Sequence, residues 1–161
     1  MDVKTSDVLF LWGKGFIDDA IEVVTDGPSH VALFLTSIEL AEAQGMRLAG
    51  PNLVSSYLKD PRITRMEVWT DWQLTSEERL IIANKARSLF GHKYDYFLIP
   101  LELAHFELGM KLNWYHEHSN LICSTFVETC AEAAKIKWAN VPNPAPVDLM
   151  WGLKQKHVLK G

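Results

Sequence analysis

Residues 120–134, NLICSTFVETCAEAA, decide the fold, because they put a cysteine at the point where a helix begins. Asn120 is a candidate N-cap, and Phe126, Val127, Cys130 and Ala134 follow Cys123 at helical spacing along one apolar face. Cys123 is thereby expected in the first helical turn. A thiol there meets the positive end of the helix dipole and backbone N–H groups with no acceptor inside the helix, and both favour a thiolate. A free cysteine is otherwise a small buried hydrophobe. Cys130 fits that role: about two turns further on, it lies roughly 10 Å along the axis from Cys123, beyond disulfide reach.

Composition narrows what surrounds this helix. A chain of 161 residues, 48% hydrophobic and 22% charged, has room for one full core and reads as a single domain over residues 1–161. The net charge of -4 comes from 16 basic and 20 acidic residues scattered along the chain, with no basic run interleaved with aromatics, which argues against a nucleic-acid partner. Two cysteines on one helix face make no disulfide framework and lack the paired spacing of a structural zinc site. The apolar run over residues 8–12 is too short for a signal-peptide core, and no stretch of about 18 apolar residues is present to span a membrane. The chain as given is therefore expected to be cytoplasmic, with release by a route the sequence does not encode left open.

Upstream, residues 7–12 (DVLFLW) suit a buried strand ended by Gly13 and Gly15. A helical period over Phe16, Ile17, Ala20, Ile21 and Val24 is closed by Asp26-Gly27-Pro28. His30 opens HVALFLT, a run apolar on both faces and hence a central strand. A turn near Thr36-Ser37 returns the chain over residues 39–44. If that turn is tight, paired residue numbers sum to about 72 to 74, so His30 faces the 42–44 region, where Glu42 and Gln44 share a face. A carboxylate beside an imidazole fixes the ring's tautomer and supports its positive charge.

Residues 46–58 read as a loop with a short helical turn, and 62–69 as another strand. Thr75-x-x-Glu78 is a capping box before an amphipathic run that Gly91 ends. Residues 97–120 are the greasiest segment, read as a buried helix or as a flap over an apolar pocket. His116-Glu117-His118 lacks a third ligand in register, so no metal is expected there. Residues 141–146 form a Pro-rich connector, 147–153 a short helical or turn segment, and 154–161 a basic tail.

Six blocks carry a resemblance: Ser6-Asp-Val-Leu-Phe10, Asp26-Gly-Pro-Ser-His-Val31, Ala41-Glu-Ala-Gln-Gly45, Gly91-His-Lys-Tyr-Asp95, Ile122-Cys-Ser-Thr-Phe-Val127 and Pro146-Val-Asp-Leu149. In this order they resemble the blocks of circularly permuted NlpC-like cysteine peptidases, papain-fold hydrolases related to the YiiX-like and lecithin:retinol acyltransferase groups. The histidine preceding the cysteine in the chain is the mark of the permuted branch. The resemblance implies an α+β, papain-like fold in which an antiparallel sheet carrying His30 packs against the Cys123 helix. It assigns Cys123 as nucleophile, His30 as general base and then acid, and Glu42 as the residue orienting the imidazole, with Gln44 the alternative third member. Tyr94 matches a tyrosine near the thiol in related enzymes. With the Cys123 N–H it is assigned to the oxyanion, and Ser124 joins it as an oxyanion or substrate-binding candidate. The expected chemistry is acyl transfer without metal or organic cofactor. The expected substrate is a peptide amide, one of cell-wall type included, with a thioester or lipid acyl group as the alternative and a non-catalytic binding module of the same fold as a third reading.

Overall fold

The first strand, β1 (Val8–Gly13), is buried along almost its whole length, as a run of Val, Leu and Phe predicts for a strand covered on both faces. The computed structural model describes residues 2–13, 27–43, 48–93, 122–142 and 144–161. The expected helix over residues 16–24, Gln44, Tyr94, the apolar 97–120 segment and the 116–118 histidines lie outside the described residues.

The remaining elements are β2 (His30–Phe34), β3 (Glu39–Glu42), β4 (Gly50–Leu53), α1 (Val54–Lys59), β5 (Ile63–Thr70), α2 (Ser76–Ser88), α3 (Cys123–Glu132), α4 (Pro146–Leu149), a 3₁₀ turn (Met150–Gly152) and β6 (Lys154–Lys160). The fold is α+β. Among the described residues, six strands form one sheet in the order β4-β3-β2-β1-β5-β6, with every neighbouring pair antiparallel.

Alternation along the strands splits the core in two. Val8, Phe10, Val31, Leu33 and Ala41 face α2 and α3, where they meet Ile82, Ala86, Phe126, Val127 and Cys130. Leu9, Leu11, Ala32, Phe34 and Leu40 face the other way and meet Val54 and Tyr57 of α1. Phe126 is fully buried between sheet and helices, which stabilises the fold by about 3 kcal/mol relative to an exposed ring.

Helix α2 begins at the expected capping box: Thr75 Oγ1 accepts from the Glu78 N–H, and Glu78 accepts from the Thr75 N–H. It ends before Gly91, whose φ of +87° lies in the left-handed region that a side chain disfavours. Two expectations need correction. The expected basic tail over residues 154–161 is, over Lys154–Lys160, strand β6, paired with β5 through two register shifts that break the alternation of an ordinary strand. Residues 50–53 form strand β4 rather than loop, at the sheet edge, where Pro51 costs the ladder least.

A buried ionic cluster ties β6 to the start of β1, the end of β5 and α2. Asp7 Oδ1 accepts from Arg79 Nη1 at 2.9 Å and Thr70 Oγ1 at 2.6 Å, while Oδ2 accepts from Lys156 Nζ at 3.0 Å and the Lys4 N–H at 2.9 Å. Burial alone would push the Asp7 carboxyl up, but the Lys4 N–H, Thr70, Lys156 and Arg79 outweigh it and hold it below the usual range. Asp7→Asn should cost about 3–5 kcal/mol in urea unfolding, because it strands two buried cations. A group whose proton affinity falls on folding stabilises above its unfolded value of about 3.9, and that contribution is lost as pH drops through the folded value. The acid limb of wild-type stability should therefore be steeper than that of Asp7→Asn. Unfolding midpoints equal at neutral pH would contradict this role.

Candidate active site

His30 is the first residue of β2, fixed at the strand start by the Ser29 N–H, which donates to the Leu11 carbonyl at 2.8 Å. Glu42 is the last residue of β3. The observed pairs Leu33 with Ala41 and Phe34 with Leu40 give a register sum of 74, at the upper end of the expected range. Continued to the strand end, that register sets Ala32 opposite Glu42, so Glu42 and His30 are diagonal neighbours on one face. Their side chains meet: His30 Nε2 and Glu42 Oε2 are 3.0 Å apart, both nearly buried. Gln44, the alternative third member, lies outside the described residues.

Glu42 has two further partners that the sequence reading did not name. Tyr57 Oη donates to Oε2 at 2.6 Å, and Asn52 Nδ2 donates to Oε1 at 2.7 Å. Asn52 comes from β4, whose register pairs Leu40 with Asn52 and Glu42 with Gly50. Tyr57 comes from α1, one turn after Val54 on the helix's buried side. The signal available for Tyr57 was weak: an apolar i, i+3 pair in a segment of only six residues.

Cys123 is the first residue of α3 and is buried. The expected N-cap, Asn120, is corrected. The cap position is Ile122, in extended conformation, and its N–H is taken by Thr125 Oγ1 at 3.0 Å. The amides of Cys123, Ser124 and Thr125 are then the first-turn donors without acceptors inside the helix. Cys123 acts on the protonation of the His30 ring alongside Glu42, and both favour the imidazolium. Cys123 packs with the core on the α2/α3 side and Tyr57 with the core on the α1 side, so the imidazole links the two layers at the strand end.

Electrostatics follow from these contacts. Burial would lower the proton affinity of His30, but its bonds to Cys123 and Glu42, and their charges, raise it well above the usual imidazole value. Burial would raise Glu42, but the His30 bond and charge, then Tyr57 and Asn52, hold its carboxyl below the usual range. Burial, then the Glu42 charge, push the Tyr57 phenol up, so it stays a donor. Cys130, buried in the core, is pushed up to about 12 by desolvation, with Lys85 opposing weakly. Two cysteines on one helix thus sit in different surroundings, one against an imidazole and one among apolar side chains.

Ser124 is fully buried, and among the described residues its hydroxyl has no hydrogen-bond partner. An unpaired buried hydroxyl costs about 1–3 kcal/mol, so Ser124→Ala should leave the melting temperature unchanged or raise it. A fall of several degrees would show a structural bond the geometry does not contain. Among the described residues, no group of three His, Cys, Asp or Glu side chains is arranged to hold a metal ion, and no helix is long and apolar enough to cross a membrane.

No family model matches the sequence, and no curated protein matches it with significance. Among solved structures the fold is similar to YiiX from Escherichia coli O157:H7, described as a metalloprotein of DUF1105. The two are 14% identical with a TM-score of 0.59, and the match covers 100% of each chain. The chain therefore has a YiiX-like α+β fold built on a six-stranded antiparallel sheet.

Proposed function

We propose that this chain is a cysteine hydrolase of the permuted NlpC-like, papain-fold type that cleaves an amide through Cys123, His30 and Glu42. The observation that carries this reading is a single one: a buried imidazole 3.0 Å from a buried carboxylate, with a cysteine at a helix start acting on the same ring. The Cys123 thiol yields its proton to His30, whose positive charge Glu42 supports, and the thiolate attacks the substrate carbonyl. The first-turn amides of α3 stabilise the oxyanion, and Ser124, whose buried hydroxyl is unpaired, serves as a candidate further donor. His30 then protonates the departing amine, and the carbonyl carbon stays bonded to sulfur. In the second half His30 takes a proton from water, hydroxide displaces the thiolate, and the free acid leaves. The E. coli neighbour is described as a metalloprotein; the described residues here offer no fitting set of three donors, and the proposed steps run on the chain's own side chains.

The test is to trap the acyl-enzyme. Wild-type protein is mixed with a panel of peptide amides and, separately, acyl thioesters of increasing chain length, quenched in acid, and weighed intact. A mass gain on Cys123 with the peptide panel supports the amidase reading. A gain only with lengthening acyl chains would replace it by a thioesterase or acyltransferase on the same residues. No adduct in either panel, together with a Cys123 no more reactive than Cys130, would leave a binding module.

A further inference from the structure

We propose that Tyr57 is a positioning residue for the His30–Glu42 pair: by donating to the carboxylate oxygen that His30 faces, it limits how tightly Glu42 holds the imidazolium. This rests on the hydrolase reading above. Tyr57 Oη and His30 Nε2 converge on Oε2 at 2.6 and 3.0 Å, and the phenol makes the shorter bond. Asn52 occupies Oε1 at 2.7 Å, so the carboxylate cannot turn its other oxygen to the ring without giving up a partner. Two donors on one oxygen share its negative charge, and each weakens the other's bond.

The surroundings leave few other groups to do this. Among the described residues, the groups acting on His30 and Glu42 are Cys123 from α3, Tyr57 from α1 and Asn52 from β4. Asn52 also braces α1: its Oδ1 accepts from the Leu53 N–H at 2.8 Å and from Ser56 Oγ at 3.1 Å. One amide thus fixes both the helix that carries Tyr57 and the carboxylate that Tyr57 touches. The consequence is chemical. His30 must accept a proton from the thiol and later release it to a leaving amine, and an acid–base group works best when neither form is locked. A carboxylate with no competing donor would favour the imidazolium too strongly, against the opposing effect of burial. Tyr57 moderates that pull while keeping Glu42 ionised.

The experiment compares wild type with Tyr57→Phe, which keeps the ring's packing and removes only the hydroxyl. The ring nitrogens of ¹⁵N-labelled histidine are titrated by NMR, and the His30 signal is identified by its absence in His30→Gln. Loss of the His30 proton should shift to higher pH in Tyr57→Phe by about one pH unit. Asn52→Asp, which keeps Oδ1 and turns the donor at Oε1 into a second carboxylate, should shift it the same way. A His30 midpoint that is unchanged or lower in Tyr57→Phe would overturn the positioning role, even where Cys123 alkylation still depends on His30. Loss of that dependence in wild type would instead sink the hydrolase reading, so the two failures are distinguishable.

Discussion

Cys123→Ala should abolish acyl-enzyme formation and turnover, by at least about 10⁴-fold, because among the described residues no other thiol acts on His30. The fold should survive with a loss of about 1 kcal/mol, the scale of an ordinary core substitution. Cys123 is buried at the point where α3 meets both the core and His30, and alanine fills most of its volume in the first turn of α3, where helix propensity is if anything improved. The matching control is Cys130→Ser. Cys130 is fully buried, so a hydroxyl there should lower stability while leaving catalysis intact. Turnover retained in Cys123→Ala, measured on whichever substrate labels the wild type, would end the nucleophile assignment.

His30 substitutions should have the second largest effect, and two variants separate its roles. His30→Ala removes the base and leaves Glu42 buried with Tyr57 and Asn52 as donors but no cation. It should cost about 3–5 kcal/mol in urea unfolding as well as three or more orders of magnitude in rate. His30→Gln offers an amide donor to Glu42 and keeps most of the volume. Its stability should recover toward wild type, and its rate should not. A rate that recovers along with stability would show that His30 is structural.

Much of this arrangement was legible in the sequence. The His30–Glu42 neighbourhood followed from one assumption, a tight turn near Thr36, because antiparallel pairing fixes every partner once the turn is placed. The turn is indeed tight: Thr36 Oγ1 accepts from the Ile38 and Glu39 amides, and the Leu35 N–H donates to the Glu39 carbonyl. The apolar stripe of α3 was equally plain, since Phe126, Val127 and Cys130 recur at the helical period. Its exact start was not, because Ile122 is no capping residue and the cap bond comes backward from Thr125.

What escaped reading was distant in sequence or masked by polarity. Tyr57 meets Glu42 across 15 positions, from a one-turn helix too short for periodicity to flag. Asp7 meets Arg79 and Lys156 across 72 and 149 positions, and nothing local in a lone aspartate announces two cations. Strand β6 looked like a basic tail because Lys154, Lys156 and Lys160 hide the apolar Val158 and Leu159. Lys156 is nearly buried all the same, its ammonium on Asp7. The α+β class was therefore easier to read than the sheet's outer strands, where pairing and buried charge rather than hydrophobic pattern hold the chain.

The central claim is that His30 makes Cys123 a nucleophile, and the most direct test is the rate of iodoacetamide alkylation at each cysteine against pH, resolved by mass spectrometry, in wild type and His30→Gln. Cys123 should react readily at neutral pH and lose that reactivity in His30→Gln, while Cys130, pushed up to about 12 by burial, stays unmodified in both. A Cys123 that reacts no faster than Cys130, or at the same rate with and without His30, would contradict the proposed thiolate–imidazolium pair.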